Sequence, residues 1–389
     1  MIILIHDRPE AARPDLRDAA RVDGVVTYLR DVTDALKRMG RQVVHLCVGK
    51  HLAPAGSMDE GWFARPGTGI RQDRHAEEAI VALLAEIGPS VLHFHGIEHV
   101  MRPRFLDRLA RRWPSAITLH DVGRFCPKGT RLRRDRSICL RGQGVGCVAS
   151  GCFLPQGVSD LKRLALASAR NRALSAMGRI ICPSAYIADL ARAHGIPADR
   201  LRVLHNFSRF PERNETRSGE GRLLFVGRME PEKGFDHLVA ALQALDDLSW
   251  HLTAIGIGSL RAMGEQALPA DRVTWRDPVT PDDLDAAYLD ADLLVLPYVQ
   301  PESFGMVGIE ALSQGCPVVG FPAGGAAEWM RTEFGAEPVS QNDTAALAAA
   351  IRRHLIAPPT PPRHPWTNSA DSHAAALAAL YDEVRAHHA

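Results

Sequence analysis

Short apolar runs alternate with amphipathic stretches along most of the chain. Between the runs, helical periodicity covers Val25–Met39, His75–Ile87, Arg104–Trp113, Asp160–Ala176 and Tyr186–His194. Repetition of strand and helix predicts a parallel sheet with helices on both faces. The runs that have the length and composition of buried strands are IILIH, QVVHLCV, SVLHFHG, AITLH, RIICPS and RLRVLHN.

The alternation resumes after a polar stretch from Ser208 to Gly221, where apolar content falls as it does at a linker. The runs RLLFVG, HLTAIG, DLLVLPY and CPVVGFP then predict a second sheet. We therefore expect one α/β domain over 1–207 and another over 208–366. A final amphipathic helix is expected over 367–389. The 389 residues, 46% of them hydrophobic, suffice for two cores.

Charge is unevenly distributed although the net charge is only +1. The segment 101–172 carries 16 Lys and Arg against 4 Asp. A solvated face would explain this surplus, and so would attraction to an anionic membrane surface or an anionic acceptor. The segment has few aromatic residues among its cations, which argues against binding of single-stranded nucleic acid.

The amino terminus and the cysteine content bear on the compartment. MIILIHDRPE lacks the basic region and the length of a signal peptide, and no window approaches the roughly 20 apolar residues of a spanning helix. We expect a cytoplasmic protein, peripheral on the inner face of the membrane if the basic segment docks there. Most of its seven cysteines would then be reduced.

Two carboxylates, Glu302 and Glu310, lie in the segment that follows the run DLLVLPY. Seven residues separate them, and the loop SFGMVG lies between strand and helix. Backbone amides ahead of a helix can hold an anion. One carboxylate could therefore bind hydroxyls of a sugar, and the other, about two helical turns further on, hydroxyls of a ribose.

Two cations, Arg228 and Lys233, lie five residues apart in the turn after RLLFVG, next to Gly234. Cations at the end of a strand can neutralise a diphosphate and stabilise the charge that develops on it as a leaving group. A charged surface turn is the alternative interpretation for this pair taken alone.

The E-x7-E spacing and the GR-x4-K-G turn, in this order, resemble the signatures of retaining glycosyltransferases of GT-B fold, in particular family GT4. The resemblance implies two Rossmann-like domains that face each other across a cleft. It also implies a nucleoside diphosphate sugar as donor, an acceptor glycan, glycolipid or small molecule, and no cofactor required for catalysis. Synthesis of bacterial polysaccharide or glycolipid is the expected context.

The resemblance also assigns expected roles to residues. The catalytic residues would be His120, after the strand AITLH, together with Glu302, Arg228 and Lys233. His93 and His95 are predicted to be structural. The turn Gly256–Gly258 and the backbone between Arg276 and Val279 match nucleotide-binding positions, although Asp277-Pro278 replaces the usual glycine. The donor-binding set is Gly24, Arg228, Lys233, Gly256, Asp277, Val279, Glu302, Ser303, Phe304, Gly305, Met306, Val307 and Glu310.

Gly24 follows Asp23 where the family usually has a Gly-Gly pair. Asp23 would make a good N-cap for the helix that begins there, so a capped helix and a ligand contact are both open. Gly324-Gly325 and Glu328 form the GG-x2-E end of the family signature, for which we expect a turn and a helix cap.

Four cysteines, Cys126, Cys139, Cys147 and Cys152, lie within an Arg- and Gly-rich insertion over about 122–158. Four thiols could form a tetrahedral structural zinc site, although none of the spacings is the common C-x2-C. Two disulfides, or unpaired thiols in a mobile acceptor loop, are the alternatives.

Other functions share this architecture. A sugar-nucleotide epimerase would need no acceptor, and a phosphorylase would depend on phosphate. A non-catalytic nucleotide-sugar-binding protein docked at the membrane through 101–172 is a further alternative.

Overall fold

We describe the protein from a computed structural model, over residues 1–8, 24–49, 62–66, 74–97, 101–155, 157, 164–213, 217, 219–357 and 368–388. The expected cap Asp23, part of the polar stretch between the two units, and residues 358–367 before the last helix lie outside these residues.

The first α/β unit is built on a seven-stranded parallel sheet of order β3-β2-β1-β4-β5-β6-β7. Its strands are β1 (Ile2–His6), β2 (Val43–Gly49), β3 (Trp62–Pro66), β4 (Val91–His95), β5 (Ser115–Thr118), β6 (Arg179–Cys182) and β7 (Leu201–Val203). Its helices are α1 (Gly24–Arg38), α2 (Arg74–Ile87), α3 (Pro103–Arg112), α4 (Val145–Ala149), α5 (Ala167–Ser175) and α6 (Ala185–Ala193).

The second unit contains a six-stranded parallel sheet of order β10-β9-β8-β11-β12-β13. Its strands are β8 (Arg222–Val226), β9 (His251–Ile255), β10 (Val273–Arg276), β11 (Leu293–Leu296), β12 (Val318–Gly320) and β13 (Ala336–Pro338). Its helices are α7 (Phe235–Gln243), α8 (Arg261–Ala267), α9 (Pro281–Asp290), α10 (Met306–Ser313) and α11 (Thr344–Ile356), and α12 (Ala370–His388) ends the chain.

Buried side chains explain why the strands form where they do. β1, β4, β5 and β11 are buried at every position, as strands of a parallel sheet with two covered faces should be. The polar side chains His93 of β4 and Thr118 of β5 are hydrogen-bonded to each other. The prediction of two α/β units with parallel sheets is therefore confirmed. Helix bounds also agree with the periodicity to within a residue for α1, α2, α3 and α6, whereas the helix expected from Asp160 is described only as α5.

The last helix returns to the first unit. Ala374, Leu377, Ala378 and Tyr381 of α12 pack in one apolar cluster with residues of β1 and α1. Within the described residues no helix is long and apolar enough to cross a lipid bilayer.

Candidate functional site

The cleft between the two units contains a cavity of about 370 Å³. The first unit contributes Gly24 and Tyr28 at the start of α1, His120 after β5, and Asn206 after β7. The second unit lines the cavity with Gly227, Lys233, Leu296, Tyr298, Glu302, Ser303, Gly305, Met306, Val307, Gly308, Phe321, Ala326, Trp329 and Met330. Residues predicted from both halves of the sequence therefore meet at one place.

Lys233 and Glu302 form an ion pair at this cavity, with Nζ 2.5 Å from Oε1. Both side chains are about four-fifths buried, and the ammonium lies 4.1 Å from the centre of the Tyr298 ring. Tyr298 is fully buried and donates its hydroxyl to the carbonyl of Val226, and burial raises its pKa well above the usual value. The pair therefore places a cation and a carboxylate together in a largely dry environment.

The backbone around Lys233 is held by close packing. Lys233 ends a short 3-10 turn, Pro231–Lys233, and Gly234 follows with φ +64°. A Cβ on Gly234 would lie 1.7 Å from the carbonyl oxygen of Pro297. The carbonyl of Glu232 accepts hydrogen bonds from the amides of Val299 and Gln300. The turn is therefore fixed against the segment that leads to Glu302.

The loop ahead of α10 is shaped by Trp329. Gly305 caps the helix with φ +90°, and the indole of Trp329 donates to the carbonyl of Phe304. A Cβ on Gly308 would lie 2.0 Å from the same indole ring. Because α10 begins at Met306 beside the cavity, its first amides and the positive end of its dipole are available to an anion there.

Gly324, Gly325 and Glu328 hold this loop and also connect the two units. The amide of Gly325 donates to the carbonyl of Glu302, and the carboxylate of Glu328 accepts from the amide of Tyr186 and from His205 Nε2. Burial by itself would raise the pKa of Glu328, but these hydrogen bonds outweigh it and lower the pKa. The expected helix cap exists, and the helix it caps is α6 of the other unit.

Glu310 is in a different environment from Glu302. Its side chain is buried on α10, does not line the cavity, and accepts a hydrogen bond of 3.1 Å from the hydroxyl of Tyr288. Burial raises the pKa of Glu310 to about 7, although Arg209 and the Tyr288 hydrogen bond oppose the rise.

The remaining predicted donor residues do not line the cavity. Arg228 is exposed, although Gly227 before it lines the cavity. Gly256 has φ +142° and passes so close to Gly227 that a Cβ would lie 2.0 Å from its carbonyl oxygen. Asp277 is exposed and pairs with Arg261 at 2.7 Å, and Val279 packs partly buried against the core.

His120 lies in a row of imidazoles. Its Nε2 is 2.8 Å from Nδ1 of His95, and the Tyr28 ring packs edge-on against it at 4.9 Å between centroids. His95 is fully buried, and burial lowers its pKa well below the usual value, so it is a neutral partner. His93 joins Thr118 to Tyr381 of α12 through its two ring nitrogens. The expectation that His93 and His95 are structural agrees with these contacts.

Sequence reasoning missed Tyr28, Asn206, Tyr298 and Trp329 as cavity residues. Tyr28 lies one helical turn after Gly24, and Tyr298 is the second residue after the end of β11. The rule that ligands bind beyond strand ends could have pointed to Tyr298. Nothing local in the sequence marks Trp329.

The four cysteines of the insertion are not gathered into one group. Cys126 is buried, whereas Cys139, Cys147 and Cys152 line a second cavity of about 370 Å³. Arg133, Arg134 and Arg141 line it too. In the described part of the chain no cluster of three or more His, Cys, Asp or Glu side chains could hold a metal ion. The structural zinc site stays a prediction without geometric support here.

Comparison with known proteins gives the class of this fold. Residues 220–356 match a family model described as glycosyl transferases group 1, and residues 23–206 match one described as a glycosyl transferase 4-like domain. The two parallel α/β units with a cleft between them are the GT-B architecture. Both units of the chain therefore match glycosyltransferase family models, and the second unit matches that of group 1.

Curated relatives cover part of the chain. D-inositol 3-phosphate glycosyltransferase of Salinispora tropica is 33% identical over 189 residues, which are 45% of this chain and 36% of that protein. The enzyme of the same name from Streptomyces coelicolor is 29% identical over 270 residues, 55% of this chain and 59% of that protein. The matched part therefore spans less than two thirds of the length of either relative.

Solved structures match over nearly the whole chain. Sucrose-phosphate synthase from Thermosynechococcus elongatus superposes with a TM-score of 0.67 at 20% identity, covering 99% of this chain and 96% of that one. HepE of Anabaena in complex with UDP gives 0.62 at 15% identity, covering 99% and 97%. The catalytic domain of starch synthase IV from Arabidopsis thaliana, bound to ADP and acarbose, gives 0.66 at 13% identity, covering 99% of each chain. At these identities the likeness shows the fold.

Proposed function

We propose that this protein transfers a sugar from a nucleoside diphosphate sugar to an acceptor hydroxyl with retention of anomeric configuration. The observation that carries the proposal is the buried Lys233–Glu302 pair, which lies beside the first turn of α10 in a cavity shared by both units. Solved neighbours of this fold were crystallised with UDP, with UDP and glucose, and with ADP and acarbose, which supports a nucleotide-linked donor.

In the proposed mechanism, Lys233 and the amides of Gly305 to Val307 neutralise the diphosphate and stabilise it as it leaves. In the free protein Lys233 donates a hydrogen bond to Glu302. When the nucleotide sugar binds, the ammonium would also donate to a phosphate oxygen, which would weaken its bond to Glu302. Arg228 would supply a second cation to the same group. No metal is required where these groups neutralise the diphosphate.

On the sugar side, Glu302 would accept hydrogen bonds from hydroxyls of the transferred sugar. His120 faces it from the first unit and would contact the sugar near the carbon that develops positive charge. The 2.8 Å hydrogen bond between Nε2 of His120 and Nδ1 of His95 fixes the orientation of the His120 imidazole at the cavity.

We further propose that Glu310 binds the ribose and that the nucleotide lies along Gly256, Asp277 and Val279. In this structure Glu310 accepts a hydrogen bond from Tyr288. A ribose hydroxyl would therefore have to replace the Tyr288 hydroxyl as donor to Glu310, or approach the carboxylate beside Tyr288. The acceptor is proposed to be a bacterial glycan, glycolipid or small polyol. The names of the curated relatives, which specify an inositol phosphate, favour a polyhydroxylated acceptor.

The decisive experiment is a calorimetric screen of UDP-, GDP- and ADP-sugars, followed by turnover measurements with Lys233→Ala. Removal of one such electrostatic donor costs on the order of 3 kcal/mol in the transition state, so we expect kcat to fall by roughly a hundredfold or more. Lys37→Ala, an exposed lysine on α1, is the control and should behave as wild type. Unchanged turnover in the Lys233 variant would refute the assignment.

The same screen separates the other enzymes of this architecture. An epimerase would convert the bound sugar without an acceptor, and a phosphorylase would require inorganic phosphate. Slow release of free sugar with retained configuration would identify a transferase without its acceptor. No binding of any of these sugars by a folded wild-type protein would contradict the donor site, for a transferase and for a non-catalytic nucleotide-sugar-binding protein alike.

A second proposal concerns docking at an anionic membrane. A groove of about 1050 Å³ between α3 and α5 is lined by six arginines (Arg74, Arg102, Arg104, Arg108, Arg111 and Arg172) and only two carboxylates, Glu77 and Asp107. Leu166, 40% exposed, lies at the same groove. A cationic surface with an exposed apolar side chain suits the headgroup region of an anionic leaflet.

Vesicle co-sedimentation tests the docking proposal. Each arginine near an anionic surface contributes about 1 kcal/mol, so Arg104→Glu combined with Arg172→Glu should abolish binding to phosphatidylglycerol vesicles. Wild-type binding should fall as salt rises. Arg331→Glu, on the second unit, is the control. Binding that ignores both salt and lipid charge would contradict docking through this groove.

A further inference from the structure

The insertion after β5 contains a hairpin that crosses the cleft. Leu132 and Ile138 pair in an antiparallel bridge, and the amide of Cys139 donates to the carbonyl of Arg131 at 2.7 Å. At the tip, the carboxylate of Asp135 accepts from both the amide and the hydroxyl of Ser137. This Asx turn gives the tip a defined shape.

The root of the hairpin is fixed in the first unit by a buried arginine. Arg131 is 1% exposed, and its Nη1 donates to the carbonyls of Phe125 and Arg141. Phe125 belongs to the core of the first unit. The hairpin therefore extends from a rigid base.

Beyond this root, both the strands and the tip of the hairpin contact the second unit. Leu132 is buried in the core cluster of that unit, and Ile138 packs against the same cluster. Arg136 Nη1 lies 2.5 Å from Oδ2 of Asp236, and its Nη2 lies 3.1 Å from Oδ1. Nη2 also donates to the carbonyl of Pro231, and the side-chain amide nitrogen Nδ2 of Asn342 donates to the carbonyl of Arg136.

These contacts fall on the elements that carry Lys233. Pro231 begins the turn Pro231–Lys233. Helix α7 begins immediately after Gly234, and Asp236 lies in its first turn. Arg136 has φ +62°, a conformation that is uncommon for a residue with a side chain. Arg136 therefore has an unfavourable backbone conformation at the position from which its guanidinium makes two hydrogen bonds to Asp236.

We infer that residues 131–139 form an interdomain latch, in which Arg136 is a positioning residue for Lys233. The latch holds the turn Pro231–Lys233 in the geometry that receives an anionic ligand, and it links that geometry to the first unit. Its effect on turnover rests on the proposed function, whereas its effect on the turn itself does not.

The first test measures the turn without any ligand. Amide hydrogen exchange over residues 232–238 is compared in wild type, Arg136→Asn and Arg134→Asn. Asparagine tolerates positive φ, so the tip keeps its backbone, and Arg134 is an exposed residue of the same hairpin. We expect about tenfold faster exchange in the Arg136 variant and wild-type exchange in the Arg134 variant. Equal exchange in all three proteins would overturn the latch.

The second test is a double-mutant cycle read by the dissociation constants of UDP, GDP and ADP. The cycle uses whichever of these nucleotides binds wild type. If Arg136 and Asp236 act through the bond between them, Arg136→Asn and Asp236→Asn should each raise its dissociation constant about tenfold. The double variant should then have the same dissociation constant as either single variant. Arg136→Lys, which keeps the charge, should recover part of the affinity. Additive losses in the cycle would refute positioning through this pair.

The two proposals fail separately. Amide exchange that is faster in Arg136→Asn than in wild type, together with a wild type that binds no nucleotide, would support the latch and reject the donor site. Nucleotide binding that is the same in Arg136→Asn and wild type, with unchanged exchange, would support the donor site and reject the latch. Thermal unfolding of each variant checks that the fold is intact.

Discussion

Glu302 and Glu310 have identical side chains, and their surroundings give them different properties. Glu302 is paired with Lys233 at the cavity, whereas Glu310 is buried beside Tyr288. Burial makes a carboxyl hold its proton more tightly, and at Glu310 this effect outweighs the opposing charge of Arg209. The pKa of Glu310 rises to about 7 for this reason.

The pKa of Glu310 predicts how stability depends on pH. Its folded value of about 7 exceeds the usual 4.5, so the folded state binds the proton more tightly between these pH values. The contribution of Glu310 to stability is complete below pH 4.5 and is lost as pH rises through 7. The free energy of unfolding of wild type relative to Glu310→Gln should fall by roughly 3 kcal/mol across this range.

Urea denaturation of both proteins at several pH values measures this difference. Glu86→Gln, an exposed glutamate on α2, is the control and should show no such trend. A constant difference between wild type and the Glu310 variant from pH 4.5 to 7.5 would show that the carboxyl is better solvated than the structure indicates.

At the scale of elements, the turn Pro231–Lys233 depends on one glycine. Gly234 adopts φ +64° and leaves no space for a side chain, because the carbonyl of Pro297 fills the position of a Cβ. Gly40 has a similar φ of +76° but nothing within 4 Å of the corresponding position. The two glycines therefore separate backbone strain from steric overlap.

We predict that Gly234→Ala lowers the free energy of unfolding by about 3 kcal/mol or more. The reason is that the conformational strain of a positive φ and the steric clash with the carbonyl of Pro297 add to each other. Gly40→Ala should cost about 1 kcal/mol, because it carries only the conformational strain. Denaturant unfolding compares them. Equal losses for the two variants would mean that the backbone at Pro297 moves to accommodate the methyl group.

At the scale of the molecule, distant segments join the two units. Glu328 of the second unit caps α6 of the first, the hairpin at Arg136 crosses in the opposite direction, and α12 returns to the first sheet. Tyr381 of α12 reaches the buried His93. The end of the chain is thus part of the core of its beginning.

We predict that Tyr381→Phe lowers the free energy of unfolding by about 1–3 kcal/mol, because it leaves a buried nitrogen of His93 without its hydrogen bond. The loss should appear in the unfolding of the first unit. Thermal denaturation and amide hydrogen exchange at β4 measure it. Arg385→Ala, on the exposed side of α12, is the control. An unchanged Tyr381→Phe protein would mean that His93 satisfies this nitrogen in another way.

The sequence by itself determined the elements and their class. Largely apolar runs marked β1 and β11, because burial on both faces of a parallel sheet favours apolar side chains at nearly every position. Short spacings were equally informative. Arg228 and Lys233 are five positions apart and stay within one turn, and His120 follows the end of a strand. Local periodicity and local spacing are readable because neighbouring residues share one element.

The tertiary structure decided which of these residues meet. Glu310 is buried because α9 places Tyr288 against it, and Trp329 shapes the loop at Gly308 from twenty-one residues away. Arg136 reaches Asp236 across one hundred residues, and His95 approaches His120 only because β4 and β5 are neighbours in the sheet. Contacts of this kind depend on how whole elements pack, and no periodicity in the sequence encodes them.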